Sequence, residues 1–106
     1  MWLILFVTKK LTLLVNLRHH QYLSLHDALT GLYNRAYFQE IMRTLEKGPI
    51  QPVGMIICDV DGLKLINDTL GHEIGDSLLI TTAEIISTAL GTQGIAARIG
   101  GDEFAI

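Results

Sequence analysis

Apolar residues in the first half of the chain recur at helical spacing. This spacing predicts a first helix over residues 9–25 and a second over residues 35–47. The first carries an apolar stripe that would suit a coiled-coil seam, although two heptads are too few to establish one. Asn34 is suited to cap the second helix, and Gly48-Pro49 should end it.

The second half of the chain alternates strand-like and helical patterns. Val53 to Cys58 is apolar and rich in β-branched residues, which predicts a strand buried on both faces. The long helical segment that follows is broken at Gly71 and ends near Gly91. Residues 95–99 and 103–106 predict two strands joined by a tight turn, so the fold class is α/β, with helices packed on a sheet. The predicted buried side of the long helix comprises Ile74, Leu78, Thr82, Ile85, Ile86 and Ala89.

Charge is divided unevenly along the 106 residues. The net charge is +3 over residues 1–26 and −6 over residues 27–106. An acidic body without a basic stripe argues against nucleic-acid binding and fits a site that gathers divalent cations. The single cysteine, Cys58, cannot form a disulfide within the chain, which favours a reducing cytoplasm. We expect Cys58 to be a small core residue rather than a reactive thiol.

The apolar N-terminus leaves two interpretations open. Trp2 to Val7 are all apolar, but the run is far shorter than the ~20 residues of a membrane-spanning helix, and it lacks the features of a signal peptide. It is either the end of a spanning helix that begins upstream, with Lys9 and Lys10 on the cytoplasmic side, or the start of an amphipathic connector helix.

Two pairs of acidic residues carry the candidate chemistry. Asp59 and Asp61 follow the first predicted strand, and Asp102 and Glu103 lie at the predicted hairpin turn. If the two strands are neighbours, these carboxylates converge and repel one another unless a cation neutralises them. Carboxylates at a strand end suit Mg²⁺ held together with substrate phosphates, although each pair taken alone is more typical of a solvated loop.

Further polar residues lie between the two acidic pairs. Gly62 lets its backbone N–H approach a phosphate closely, and Lys64 either adds positive charge there or is a solvated lysine. Asn67 and Asp76 flank a predicted glycine kink at residues 71–75. An amide and a carboxylate together satisfy the hydrogen-bonding edge of guanine, whereas spacing alone favours helix capping for both.

These residues resemble the GGDEF family of diguanylate cyclases. The resemblance covers residues 27–106, whereas residues 1–26 match only in kind, as the connector helix that usually precedes such a domain. The motifs that carry it are DALTGLYNR at residues 27–35, DVDGLKLIND at 59–68, GHEIGD at 71–76 and RIGGDEF at 98–104. The resemblance implies a palm-like α/β fold, and we expect this chain to contain the domain only as far as its hairpin.

The resemblance also implies roles for single residues at a metal site. Asp59 and Asp102 would hold Mg²⁺ or Mn²⁺, helped by the carbonyl of Val60. Glu103 would assist metal binding or deprotonate the attacking 3′-hydroxyl.

A second set of residues would hold the nucleotide. The amides of Gly62 and Leu63 would contact phosphates, with Lys64 close by, and Asn67 and Asp76 would bind guanine.

The implied reaction joins two GTP molecules into cyclic di-GMP and releases pyrophosphate. Each domain would hold one GTP, so the resemblance implies a homodimer, formed through the N-terminal helix of a cytoplasmic domain. Whether the parent protein carries a membrane anchor upstream stays open. Two alternatives stay open, namely a non-catalytic GTP-binding regulatory module and an inactive gene fragment. We expect the chain alone to be inactive.

One departure from the family pattern concerns product inhibition. Many members carry an Arg-x-x-Asp site shortly before the signature, and the matching positions here are Gly91 and Gly94. Neither residue can pair with a phosphate or a guanine, so we expect no inhibitory product site.

Overall fold

The computed structural model describes residues 2–48 and 52–106, which form four helices and three short strands. Pro49, which we expected at the end of the second helix, lies outside the described residues. In chain order the elements are α1 (Trp2–Leu25), α2 (Arg35–Lys47), β1 (Ile57–Asp59), α3 (Leu63–Leu70), α4 (His72–Leu90), β2 (Ala97–Arg98) and β3 (Glu103–Ala105).

The loop of residues 26–34 fixes the junction between α1 and α2. Asn34 caps α2 as predicted, since its Oδ1 accepts a hydrogen bond from the Tyr37 N–H at 2.9 Å. The same side chain reaches back to α1, where its Nδ2 donates to the Ser24 carbonyl at 2.9 Å. One residue thus satisfies backbone groups at the end of one helix and the start of the next.

Four aromatic rings form a continuous stack across this junction. The His26 ring lies between Tyr22 and Tyr33, with centroid distances of 4.1 and 4.7 Å, and Tyr37 of α2 follows Tyr33 at 4.5 Å. The last turn of α1 is therefore packed onto the loop, whereas the rest of α1 contacts no strand and no helix other than α2 among the described elements.

The three strands form an antiparallel sheet in the order β1-β3-β2. The crossover through α3 and α4 therefore leads to β2 at the far edge of the sheet, and the short hairpin then places β3 between β2 and β1. Backbone hydrogen bonds at Ile56 and Ile106 extend the pairing of β1 and β3 by one residue each. Both strands of the hairpin were predicted, although β2 is shorter than residues 95–99.

The core lies between α4 and one face of the sheet. Leu79, Ala83 and Phe104 form its buried centre, and Phe104 is fully buried. Cys58 is half-buried against this cluster, in agreement with the predicted core role. The residues that surround the centre are Leu29, Leu32, Val60, Leu63 and Ile86.

The prediction of a strand buried on both faces was wrong. Val53 is 61% exposed and Ile57 is 51% exposed, and only residues 57–59 form strand β1. The physical reason is that the core covers only one face of β1: Cys58 packs towards the core, whereas Ile57 and Asp59 lie on the opposite, exposed face. An apolar run alone does not tell on which faces a strand is covered.

The predicted buried side of the long helix was also partly wrong. Ile74 and Ile85 are 50% and 64% exposed, and the buried residues are Gly75, Leu79 and Ala83. Because α4 is apolar on most sides, its spacing did not identify the face that meets α3 and Phe104. The break lies at Gly71 alone, with φ +93°, and Gly75 is inside α4 rather than in a kink.

None of the helices within residues 2–48 and 52–106 combines the length and hydrophobicity that crossing a bilayer demands.

Candidate functional site

The four predicted metal ligands lie at one end of the β1–β3 pair. Asp59 and Glu103 are direct cross-strand partners, which places their side chains on the same face of the sheet. Val60, which directly follows β1, donates its N–H to the Asp102 carbonyl at 2.8 Å. The antiparallel register therefore brings together two acidic pairs that are more than forty residues apart in sequence.

The carboxylates themselves are spread around this end rather than gathered. Asp59 and Asp102 are exposed, and the Glu103 carboxylate folds back over Gly100. Within the described residues, no three His, Cys, Asp or Glu side chains are close enough together to hold a metal ion. The oxygen donors present are of the type that Mg²⁺ prefers, and Mg²⁺ commonly takes only one or two carboxylates, with water and phosphate as its other ligands. The donor set thus fits such an ion.

The start of α3 presents free backbone N–H groups beside the acidic residues. Gly62 precedes the helix in the left-handed conformation, with φ +77°, and no side chain caps the helix. The first helical bond runs from the Ile66 N–H to the Gly62 carbonyl at 2.9 Å, so the amides of Leu63 and Lys64 point out of the helix start. Such a terminus attracts anions, and the exposed Lys64 adds positive charge near it.

The amide of Asn67 is held between α3 and α4 by Gly75. A Cβ on Gly75 would collide with Asn67 Oδ1 and would lie 2.8 Å from its Cγ, so any larger residue would force the Asn67 amide to move. Asn67 Oδ1 is buried without a hydrogen-bond partner, which leaves the Nδ2 group of the amide to offer to a ligand. Asp76 lies one residue beyond Gly75 and is exposed.

The capping alternative for Asn67 and Asp76 is not seen. The residues that precede α3 and α4 are Gly62 and Gly71, and neither helix has a side-chain cap. The guanine-binding hypothesis for both residues stays a prediction.

Gly91 and Gly94 lie between α4 and β2, and both line a shallow groove of about 190 Å³. The groove runs between the 26–34 loop and the end of α4, and His26 and Tyr33 form part of its wall. Among the described residues that line it, none is an arginine or carries a carboxylate.

Sequence reasoning gave no role to an ion pair that joins the 26–34 loop to the hairpin. The Arg98 guanidinium lies 3.3 Å from the Asp27 carboxylate, and both side chains are about four-fifths buried, at 18% and 21% exposure. Burial alone raises the pKa of Asp27, but hydrogen bonds from Thr30 and the Arg98 charge outweigh burial, and the pKa lies below its usual 3.8. In the sequence, the signal for this ion pair is that both residues begin family motifs, Asp27 in DALTGLYNR and Arg98 in RIGGDEF.

The fold and the site together define a small α/β domain with acidic residues at the end of an antiparallel sheet and a helix N-terminus beside them. The family model described as "Diguanylate cyclase, GGDEF domain" matches residues 24–106. Because this match takes in most of the chain, the chain belongs to the GGDEF family.

Two curated bacterial relatives are similar to this chain. Probable diguanylate cyclase DgcE of Escherichia coli is 39% identical over 93 residues, covering 85% of this chain and 8% of DgcE. Cyclic di-GMP phosphodiesterase PdeB of Shewanella oneidensis is 43% identical over 82 residues, covering 76% of this chain and 9% of PdeB. The chain therefore spans less than a tenth of the length of either relative.

A solved structure matches nearly the whole chain. The coiled coil and GGDEF domain of DgcB from Caulobacter crescentus, in complex with c-di-GMP, aligns with a TM-score of 0.67 and 28% identity. The alignment covers 99% of this chain and 59% of DgcB, so it includes α1. The predicted fold class, a palm-like GGDEF fold, is confirmed.

Proposed function

We propose that this domain is a diguanylate cyclase that condenses two GTP molecules into cyclic di-GMP and pyrophosphate, as a dimer with Mg²⁺. The observation that carries the proposal is the register of β1 and β3, which puts Asp59 opposite Glu103 and Val60 beside Asp102. In this reaction the 3′-oxygen of each GTP attacks the α-phosphate of the other, so two new P–O bonds form, the two bonds to pyrophosphate break and two pyrophosphates leave.

The residues at the end of the β1–β3 pair would hold the cation. Asp59, Asp102 and the Val60 carbonyl are the proposed ligands. A bound Mg²⁺ would neutralise charge that develops on the phosphate oxygens. The Glu103 carboxylate would accept the proton of the attacking 3′-hydroxyl or add a further oxygen ligand. No ion pair occupies Asp59, Asp102 or Glu103 among residues 2–48 and 52–106, which leaves these acids available.

The start of α3 and the α3–α4 contact would bind the nucleotide. The outward-pointing amide of Leu63, together with the Gly62 amide and Lys64, suits the triphosphate. Asn67 Nδ2 would donate to an acceptor of guanine, and the exposed Asp76 carboxylate would accept from its ring and exocyclic N–H groups. We assign only the donor group of the Asn67 amide to guanine, because its acceptor atom, Oδ1, is buried.

The surface of α1 supports the proposed dimer. Leu11, Leu14 and Val15 are between 50% and 61% exposed, although apolar side chains of this size are usually buried. Contact between two copies of α1 would cover them and bring two nucleotide sites face to face. The apolar residues are not confined to one stripe, since Leu13 and Leu17 are exposed as well.

A regulatory GTP-binding module is the second candidate function. It is favoured by one observation, the similarity to PdeB, which is a phosphodiesterase. Such a module would bind GTP through the same residues without turning it over. Both functions require GTP binding, but only the cyclase forms cyclic di-GMP from it.

The deciding experiment incubates the complete gene product with GTP and Mg²⁺ and measures cyclic di-GMP and pyrophosphate by chromatography. We expect both products from the wild type and none from Asp102→Asn, with GTP still bound by the variant. Exposed Glu84 on α4 supplies a matched control, because Glu84→Gln should retain activity. GTP binding without product in the wild type would favour the regulatory module instead.

A further inference from the structure

We propose that Arg98 is a positioning residue that sets the direction of the Asp102 side chain by holding the turn of the β2–β3 hairpin onto the 26–34 loop. The proposal rests on the proposed function for its kinetic consequence. Its structural consequence is tested separately.

The guanidinium group of Arg98 contacts two parts of the chain at once. Its Nη1 donates to both Asp27 carboxylate oxygens at 3.3 Å, and its Nη2 donates to the Gly101 carbonyl at 2.9 Å. Gly101 is in the turn of the hairpin, and Asp27 is in the loop that follows α1. The planar fork of an arginine makes such a two-sided contact, whereas the ammonium of a lysine acts as a point charge.

The Gly101 carbonyl belongs to the peptide that precedes Asp102. The peptide that follows Asp102 is held from the other side, since the Asp102 carbonyl accepts from the Val60 N–H at 2.8 Å. Both peptide groups that flank the Asp102 Cα are therefore fixed, one by Arg98 and one by strand β1. Fixing these two planes fixes the direction in which the Asp102 side chain leaves the backbone.

Asp27 holds the guanidinium in place for this task. Its carboxylate also accepts from the backbone N–H and the hydroxyl of Thr30, at 2.9 and 2.8 Å, so it is anchored within its own loop. The Arg98 side chain has little freedom, because it is only 18% exposed and its guanidinium is bound on two sides, while its Nε is buried without a partner. A buried arginine with one unsatisfied N–H is better explained by a positioning task than by stability.

The kinetic test compares Arg98→Ala and Arg98→Lys with wild type in the complete gene product. We expect kcat to fall by up to about 100-fold in Arg98→Ala, with KM for GTP unchanged, because a displaced catalytic group loses rate and not substrate binding. Arg98→Lys should retain part of the rate. Free guanidinium ion, at concentrations that do not unfold the protein, should restore part of the activity of Arg98→Ala. Arg43→Ala is the matched control, since Arg43 pairs with Glu40 on the exposed surface of α2.

The structural test measures backbone amide hydrogen exchange by NMR and needs no turnover. The Val60 N–H reports on the Asp102 carbonyl, and the Ile56 N–H, bonded to the Ile106 carbonyl at 2.9 Å, reports on the other end of the same strand pair. We expect Arg98→Lys to accelerate exchange at Val60 and to leave Ile56 unchanged. Equal acceleration at both amides would mean a general loss of stability and would overturn the proposal, as would unchanged exchange at Val60.

The two proposals fail in different ways. A wild-type protein that makes no cyclic di-GMP refutes the cyclase, and the Val60 measurement still decides the role of Arg98. A wild-type protein that makes cyclic di-GMP, together with a folded Arg98→Ala variant of equal kcat, refutes the positioning role alone. If Arg98→Ala does not fold, Arg98→Lys supplies both measurements.

Discussion

Gly75→Ala tests the packing that places Asn67 at the α3–α4 contact. The added Cβ would collide with Asn67 Oδ1 and would lie 2.8 Å from its Cγ. Overpacking of this kind costs about 1–3 kcal/mol, and alanine in a helix interior returns about 1 kcal/mol relative to glycine. We therefore expect the free energy of unfolding to fall by about 0–2 kcal/mol in the single variant.

A double-mutant cycle with Asn67→Ala isolates the collision. With the Asn67 side chain removed, the new methyl group has space, and Gly75→Ala should then stabilise the protein by about 1 kcal/mol. Asn67→Ala alone should cost little, because its buried Oδ1 has no hydrogen-bond partner to lose. The assay is urea-induced unfolding followed by circular dichroism.

Gly54→Ala is the matched control for this cycle. No heavy atom lies within 4 Å of the added Cβ at Gly54, and its φ is not positive. We expect a change of less than about 0.5 kcal/mol there. If the effects of Gly75→Ala and Asn67→Ala simply add, the close contact does not determine the conformation of Asn67, and the argument that only its Nδ2 is offered to guanine fails with it.

Three further predictions concern the junction of α1 with the domain. Asn34→Ala should lower the free energy of unfolding by about 2 kcal/mol, because it removes both the α2 cap and the hydrogen bond to the Ser24 carbonyl. Gln39→Ala, at an exposed position on α2, is the control. An equal loss of stability in that control would contradict the capping role. Asp27→Asn should be less stable than wild type at neutral pH. Because the pKa of Asp27 is lowered on folding, this difference in the free energy of unfolding is complete above the usual pKa of 3.8 and shrinks as the pH falls through the lower folded pKa. A difference that stays constant down to pH ~2 would refute the lowered pKa. Leu11→Lys together with Leu14→Lys should convert the proposed dimer to monomers in sedimentation velocity, whereas Thr12→Lys, also exposed on α1, serves as the charge control; a dimer that persists in the double variant would exclude these leucines from the interface.

Local signals in the sequence predicted the elements well. The Asn34 cap, the break at Gly71 and the stop at Gly91 all appear in the structure where the residue types placed them. These features depend on neighbouring residues only. Capping and left-handed backbone are chosen by one or two side chains, and tertiary contacts do not change them.

Burial was predicted less well, because it depends on partners distant in sequence. Val53 and Ile57 are as apolar as core residues, yet Val53 lies before β1 and Ile57 lies on the face of β1 that the core does not cover. Nearly every side of α4 is apolar, so its period did not identify Leu79 and Ala83 as the buried positions.

The candidate site was predicted as residue types but not as geometry. The strand register brings the two acidic clusters to the same end of the sheet, as expected for neighbouring strands, but the carboxylates there are spread rather than gathered. The contact of Asn67 with Gly75 was not predicted, because it depends on the angle between two helices. The Arg98–Asp27 pair joins residues 71 positions apart, and no local pattern indicates it.

The most direct test of the proposed metal site is to locate the bound cation. Addition of Mn²⁺ with GTP to the complete gene product should broaden the amide NMR signals of residues near the bound ion, because Mn²⁺ is paramagnetic and takes the same oxygen ligands as Mg²⁺. If Asp59 and Asp102 share the cation, we expect strong broadening of the amide signals at Val60 and Asp102 and none at Gly48. The broadening should disappear in a protein that carries both Asp59→Asn and Asp102→Asn. Broadening that spares Val60 and Asp102, or that persists in the double variant, would contradict a shared cation at the end of β1 and β3.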